Sequence, residues 1–278
     1  MSRAEDVSDQ LIESMKQKNI DVDLTLRILD MVNSGSLTAE QIRIKAVPSV
    51  DNTRILDMRG EATWPVSKKM LSIAVERFPE LSFLLEKLRR DATAGGILVL
   101  GRKDLYRAGI MLMPYVAYGI LNGGSATSYA DRRKNIDFHP AYFSLVEPVF
   151  NNMAGLCSGR SKGITPAFIQ GNGSGGPSFL ELKLRALLLK IRENELLTGG
   201  RFTGCIPLFQ MTNITTNEEI GRALESYGES PLLRDLVNET GIGIREIKTG
   251  VQPLIAAFTP ASPGRPRSIF SGAYGKTN

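Results

Sequence analysis

A strand that empties into a pair of glycines, with hydroxyls and cations close behind, constrains this chain more than any other stretch. It runs from Tyr115 to Asn135, YVAYGILNGGSATSYADRRKN. Val116, Tyr118, Ile120 and Leu121 form a short β-branched and aromatic run, and Asn122-Gly123-Gly124-Ser125 permits a tight turn directly after it. Ser125, Thr127 and Ser128 then add hydroxyls, and Arg132, Arg133 and Lys134 add positive charge. Adjacent glycines let a backbone approach an anion closely, and amides, hydroxyls and a lysine together suit the oxygens of a phosphate. The plain alternative is a turn with a solvated basic edge.

Spacing separates this loop from two better known phosphate loops. A P-loop requires GxxxxGK[ST] and a dinucleotide fingerprint requires GxGxxG, and the loop contains neither. The chain of 278 residues is long enough to bury a large core, and 42% hydrophobic with 23% charged residues favours neither a disordered nor a membrane class. Apolar runs such as Ile97 to Leu100 and Leu254 to Phe258 are too short to span a bilayer, and the N-terminal Met-Ser-Arg-Ala-Glu-Asp has no signal-peptide core. A cytoplasmic protein with no membrane partner is expected. The net charge of +5 is mild and dispersed, so no nucleic-acid partner is expected either. Cys157 and Cys205 lack metal-ligand spacing and are expected to be buried thiols. His139, the single histidine, leaves no His pair for a metal and is expected to serve a turn or packing.

The rest of the chain alternates helical and strand patterns. Residues 5 to 45 carry apolar residues at helical spacing, broken at Asn33-Ser34-Gly35-Ser36 and restarted near Thr38, as a packing accessory or a partner-binding arm. A short strand is expected at Arg54-Ile55-Leu56 and a break at Trp64-Pro65. Ser67 to Arg90 predicts helix interrupted near Pro79, and Gly95 to Leu100 an edge strand. Phe143 to Met153 predicts helix, Gly155 to Ile164 a mobile basic stretch, and Gly163 to Ile169 a strand broken by a turn. The glycine-rich run Gly171 to Pro177 is expected to be a flexible connector or a lid. Ser178 with Glu181 three residues later marks a capping box at the head of a helix from Phe179 to Asn194. Phe202 to Met211 predicts a buried strand whose carboxyl end, Met211-Thr212-Asn213, falls where open α/β sheets gather ligands. Helices are expected from Thr216 to about Tyr227 and from Ser230-Pro231, then a strand within Ile244 to Gln252. This alternation predicts a parallel α/β sheet.

Leu121-Asn122-Gly123-Gly124-Ser125-Ala126-Thr127 with Lys134 downstream resembles the LxGGxGTxx…K signature loop of the UTP-glucose-1-phosphate uridylyltransferase (UDP-glucose pyrophosphorylase) family. Three further segments follow in the family's order: Ser178-Phe179-Leu180-Glu181-Leu182, Pro207 to Asn213 with Thr216-Asn217-Glu218-Glu219, and Lys248-Thr249-Gly250-Val251-Gln252-Pro253. Together they cover roughly Tyr115 to Phe258. The resemblance implies a Rossmann-like, GT-A-like nucleotidyltransferase fold with a mixed, mostly parallel sheet flanked by helices. A helical accessory region over 1–94 would precede a catalytic α/β domain over 95–278. It implies transfer of uridylyl from UTP to a sugar 1-phosphate, with Mg²⁺ as cofactor and pyrophosphate as leaving group. Leu121, Asn122, Gly123, Gly124 and Thr127 would line the nucleotide, Lys134 would neutralise phosphate charge in the catalytic role, and Gln252 would read the uracil edge. The chain departs from the family at Ala126, where glycine is usual, and at Arg133, where proline precedes a lysine one residue further on. Arg132 and Arg133 therefore stand as alternatives to Lys134. The family's later G-H-G segment, metal-binding Asp and sugar-binding half find no counterpart before Asn278, so the expected domain is incomplete on its C-terminal side.

Overall fold

The computed structural model describes residues 7, 9–37, 63–91, 95–124, 140–244, 247–258 and 269–271. The expected helix start at Thr38, the strand at Arg54 to Leu56 and His139 lie outside them. Helices α1 (Asp9–Gln17) and α2 (Val22–Asn33) come first, the second capped by the Asp21 carboxylate, which accepts the Leu24 amide at 2.9 Å. Met15 and Ile20, with Leu11, Leu26 and Leu29 beside them, form a small core with Leu254 and Ala256 from the far end of the chain. The helical region therefore packs on the segment after the last strand of the main sheet.

A second cluster gathers β1 (Trp64–Ser67), α3 (Lys68–Arg77), α4 (Ser82–Asp91), β2 (Ile97–Leu100) and α5 (Arg102–Met111). Trp64-Pro65 is strand and not a break, because a two-stranded pair has only edges and tolerates proline there. β1 and β2 pair antiparallel, Trp64 opposite Leu100, so the predicted edge strand stands apart from the parallel sheet. Pro79 interrupts the helical run as expected, in a 3₁₀ turn between α3 and α4. The core, with Leu71, Leu84, Leu88, Leu98 and Leu100 at its centre, draws on residues from both sides of position 94. Lys87 Nζ reaches the Asp104 carboxylate at 2.8 Å and ties α4 to α5. Burial alone would raise the Asp104 carboxyl, but the Lys87 bond, the Gly101 amide and the Lys87 charge together hold it below its ordinary value.

The largest core lies under a parallel sheet of β3 (Tyr118–Leu121), β4 (Leu208–Asn213) and β5 (Lys248–Gln252), in the order β3-β4-β5. Tyr118 stands opposite Leu208, and Asn213 opposite Gln252. Alternation turns Tyr118, Ile120 and Leu208 into the core, against α7 (Phe179–Thr198), α8 (Asn217–Tyr227) and α9 (Arg234–Thr240). α7 follows α6 (Pro140–Cys157) and begins with the predicted capping box: Ser178 Oγ accepts the Glu181 amide at 3.1 Å, and Glu181 accepts the Ser178 amide at 3.3 Å. It ends at Gly199, whose φ of 69° provides the left-handed turn that closes a helix. β6 (Ala256–Phe258) and β7 (Ile269–Ser271) form an antiparallel pair beyond β5. The protein is thus mixed α/β with a parallel three-stranded sheet.

Several expectations fail locally. The strand predicted from Phe202 starts only at Leu208, after Gly204 with φ 133° and Pro207, which has no amide to give a ladder. Cys205 lies in that irregular stretch and is exposed; Cys157 is the buried thiol, and burial pushes its pKa up despite a bond with Thr165 and the charge of Arg160. Gly163 to Ile169 holds a 3₁₀ turn (Lys162–Ile164) and the single bridges Pro166↔Ser178 and Ile169↔Gly175. Those bridges also fold the glycine-rich run back on itself, where Asn152 of α6 donates to the Gly173 carbonyl at 2.9 Å. The helix expected from Ser230-Pro231 starts at Arg234, and the last sheet strand at Lys248.

Candidate functional site

Parallel order brings the carboxyl ends of all three strands to one edge. β3 gives way there to Asn122-Gly123-Gly124, β4 ends at Asn213 and β5 at Gln252. Of the residues predicted for the site, Leu121 is 76% exposed on the sheet face opposite the core, Asn122 is buried, Gly123 is half-buried and Gly124 is exposed. Gln252 is half-buried two strands away. With neighbouring strands about 4.8 Å apart, the glycine turn and Gln252 are separated by roughly 10 Å. Thr127 and Lys134 lie outside the described residues.

The turn is held from three sides by its carbonyls. Ser161 Oγ donates to the Asn122 carbonyl at 2.7 Å, Asn213 Nδ2 donates to the Gly123 carbonyl, and the Lys162 amide donates to the Gly124 carbonyl at 2.8 Å. A trans peptide sets its N–H opposite the preceding C=O, so anchoring the carbonyls of Asn122 and Gly123 turns the amides of Gly123 and Gly124 away from these partners. Among the described residues neither amide has a hydrogen-bond partner. Two adjacent donors are therefore presented at the mouth of the sheet.

The anchors are themselves fixed. Asn213 Oδ1 accepts the amides of Thr215 and Thr216 at 2.9 and 3.0 Å, a local turn that launches α8 and leaves Nδ2 for Gly123. The Ser161 amide donates to Glu219 of α8 at 3.1 Å. Behind the turn, Asn122 Oδ1 lies 2.3 Å from where a Cβ on Gly163 would stand, so only glycine lets the 162–164 turn approach this closely. Lys162, read from sequence only as part of a mobile basic stretch, is thus brought beside the loop by its backbone, and Arg160 precedes the anchor Ser161. Both side chains are exposed. Arg160 also acts on Tyr227, whose pKa burial raises, partly offset by the Ser178 bond; Glu181 raises it further and Arg160 opposes.

No group of three or more His, Cys, Asp or Glu side chains that could hold a metal occurs among the described residues. Glu218 pairs with Arg222 at 2.7 Å and Glu219 with the Ser161 amide, so the described residues do not themselves compose a Mg²⁺ site. Mg²⁺ dehydrates reluctantly and is commonly held by substrate phosphates with one or two carboxylates. No described helix is long and apolar enough to cross a membrane. Compared with protein-family models, with curated proteins and with solved structures, the chain matches none of them.

Proposed function

We propose that the carboxyl edge of the parallel sheet binds UTP and that the chain is a nucleotidyltransferase of the uridylyltransferase type, acting on a sugar 1-phosphate. The observation that carries this reading is the pair of amides at Gly123 and Gly124, without a partner among the described residues and turned outward by the anchored carbonyls of Asn122 and Gly123, with Lys162 beside them. Fixed donors of this kind cost no reorganisation when charge builds on a phosphate. Gln252, about 10 Å across the strand ends, carries a donor and an acceptor suited to a uracil edge. A single nucleotide laid over Asn213 has its phosphates at one end and its base at the other, and so meets both.

In this reaction an oxygen of the sugar 1-phosphate attacks the α-phosphorus of UTP, the bond from that phosphorus to the bridging oxygen breaks, and pyrophosphate leaves with the electron pair. Such a displacement needs positioning and charge stabilisation more than covalent help. The two glycine amides and Lys162 are assigned to the phosphates, with Lys134 retained from the sequence resemblance in the same role; Mg²⁺, the cofactor that the resemblance implies, would be held mainly by the triphosphate itself and would supply charge neutralisation. A thermal-shift series with UTP, CTP, ATP and GTP, each with and without Mg²⁺, tests binding. UTP at about a hundred times its Kd stabilises by roughly 2.7 kcal/mol, and a rise selective for UTP is expected. Release of pyrophosphate on adding sugar 1-phosphates tests turnover; a UTP shift without it leaves a nucleotide-binding protein, and no shift with any nucleotide refutes the reading.

A further inference from the structure

One polar side chain sits where an apolar one would serve the fold better. Gln210 is in the middle of the central strand, is 1% exposed and faces the core between Leu208 and Thr212. Burying an amide costs free energy unless both its ends are bonded. Both are: Oε1 accepts from Asn122 Nδ2 at 3.1 Å, and Nε2 donates to Thr249 Oγ1 at 2.9 Å. Asn122 opens the glycine turn on one flanking strand, and Thr249 belongs to the strand that ends at Gln252 on the other. No other natural side chain of this length offers an acceptor to one neighbour and a donor to the opposite one without charge.

We infer that Gln210 is a positioning residue that couples the glycine turn to the strand carrying Gln252, so that the two ends of the site hold one geometry. The inference rests on the proposed nucleotide site for its purpose, while the coupling itself stands on the two hydrogen bonds. Asn122 transmits it directly. Its side chain is held by Gln210, its own amide donates to the Met211 carbonyl at 2.7 Å, and its carbonyl is the one Ser161 anchors. On the other side, the Thr249 hydroxyl accepts from Gln210 and lies 3.4 Å from the Ile247 carbonyl, at the head of the strand. A methionine at this position keeps length and volume and removes both bonds.

The experiment compares the full chain with Gln210→Met and Thr249→Val by hydrogen exchange without ligand, and then by UTP affinity. In Gln210→Met, exchange is expected to quicken about tenfold at the amides of Asn122 and Lys162 and also in 249–252, while α7 keeps its protection. In Thr249→Val, which frees only one end of Gln210, the acceleration is expected in 249–252 and, to a smaller extent, at Asn122 through the loosened Gln210; an unchanged Asn122 would mean two independent bonds and would overturn the coupling. UTP affinity is expected to fall about tenfold in Gln210→Met. A uniform acceleration that includes α7 would mean only a destabilised core and would overturn the coupling, as would an acceleration confined to β4. Should the wild-type chain fail to bind UTP, the nucleotide reading fails, and the exchange pattern still decides for or against the coupling.

Discussion

Gly124 separates the needs of the fold from those of the proposed ligand. A Cβ built there meets nothing among the described residues within 4 Å, and its φ lies outside the left-handed region, so the described structure accommodates a side chain without strain. On the proposed reading an anion held by the Gly123 and Gly124 amides lies next to the Gly124 Cα, where a branched side chain would crowd it. Gly124→Val is therefore expected to unfold within about 0.5 kcal/mol of the wild type, as surface changes do, while losing the thermal shift produced by UTP. A retained shift would place the triphosphate elsewhere. Gly163→Ala makes the contrast, because its Cβ would fall 2.3 Å from Asn122 Oδ1 and the turn itself would have to move.

At this scale the sequence yields the residues that present backbone and hides those that hold it. Asn122-Gly123-Gly124 is legible because glycine pairs after a strand are a local signal. Asn213 and Gln252 fall at predicted strand ends, and the register that sets them side by side needs only parallel order. Gln210 leaves one faint trace, a lone amide in the apolar run from Phe202 to Met211. Its partner Asn122 lies 88 residues away, and no local pattern states such a pairing. Ser161 and Lys162 are missed for the same reason, since glycines at 159 and 163 read as looseness although one of them permits close packing.

Among the elements, α7 is the most legible and bears the largest share of the core. Its capping box and its apolar stripe of Leu180, Leu184, Leu187, Leu188 and Ile191 read from the sequence, while the helix runs on to Thr198, past the expected end at Asn194, and closes at Gly199. The stripe also buries Asn194, which a periodicity argument leaves unexplained. Asn194 Nδ2 donates to the carbonyls of Ile110 and Met111 at 2.7 and 3.4 Å, at the end of α5 where helical carbonyls lack partners. It joins the second cluster to the main core. Asn194→Ala takes the side-chain donor from both buried carbonyls, leaving Ile110 only the Leu112 amide, and the expected loss is about 1–3 kcal/mol in urea unfolding with an unchanged m-value. A loss under about 0.5 kcal/mol would mean that water reaches the end of α5. The strands are less legible than the helices, because they are short and their limits come from pairing: Trp64-Pro65 becomes strand only opposite Leu100, and β4 begins only where Pro207 ends.

Across the whole molecule the two ends of the described chain are tied together at the exit of the site. Ile20 bridges Leu254, the Asp21 amide donates to the Leu254 carbonyl at 2.8 Å, and the Ala256 amide donates to Thr25 Oγ1 at 3.3 Å. Thr25 is buried and its hydroxyl is used twice, because it also donates to the Asp21 carbonyl at 2.6 Å. This clasp starts two residues after Gln252, so the N-terminal helices fix the end of β5 from outside the sheet. Closing a contact across 231 residues costs chain entropy before it returns any binding energy, and such contacts are expected to form after the transition state. Thr25→Val keeps the shape and removes the acceptor from the Ala256 amide, at a cost of about 1–3 kcal/mol. With the clasp formed late, that cost falls on the unfolding rate: unfolding is expected to quicken at least about fivefold while the folding rate changes less than about twofold. Stopped-flow folding in urea reads both arms. A slowed folding arm would instead place the N-terminal helices in the folding nucleus, and the clasp would then organise the sheet from the start.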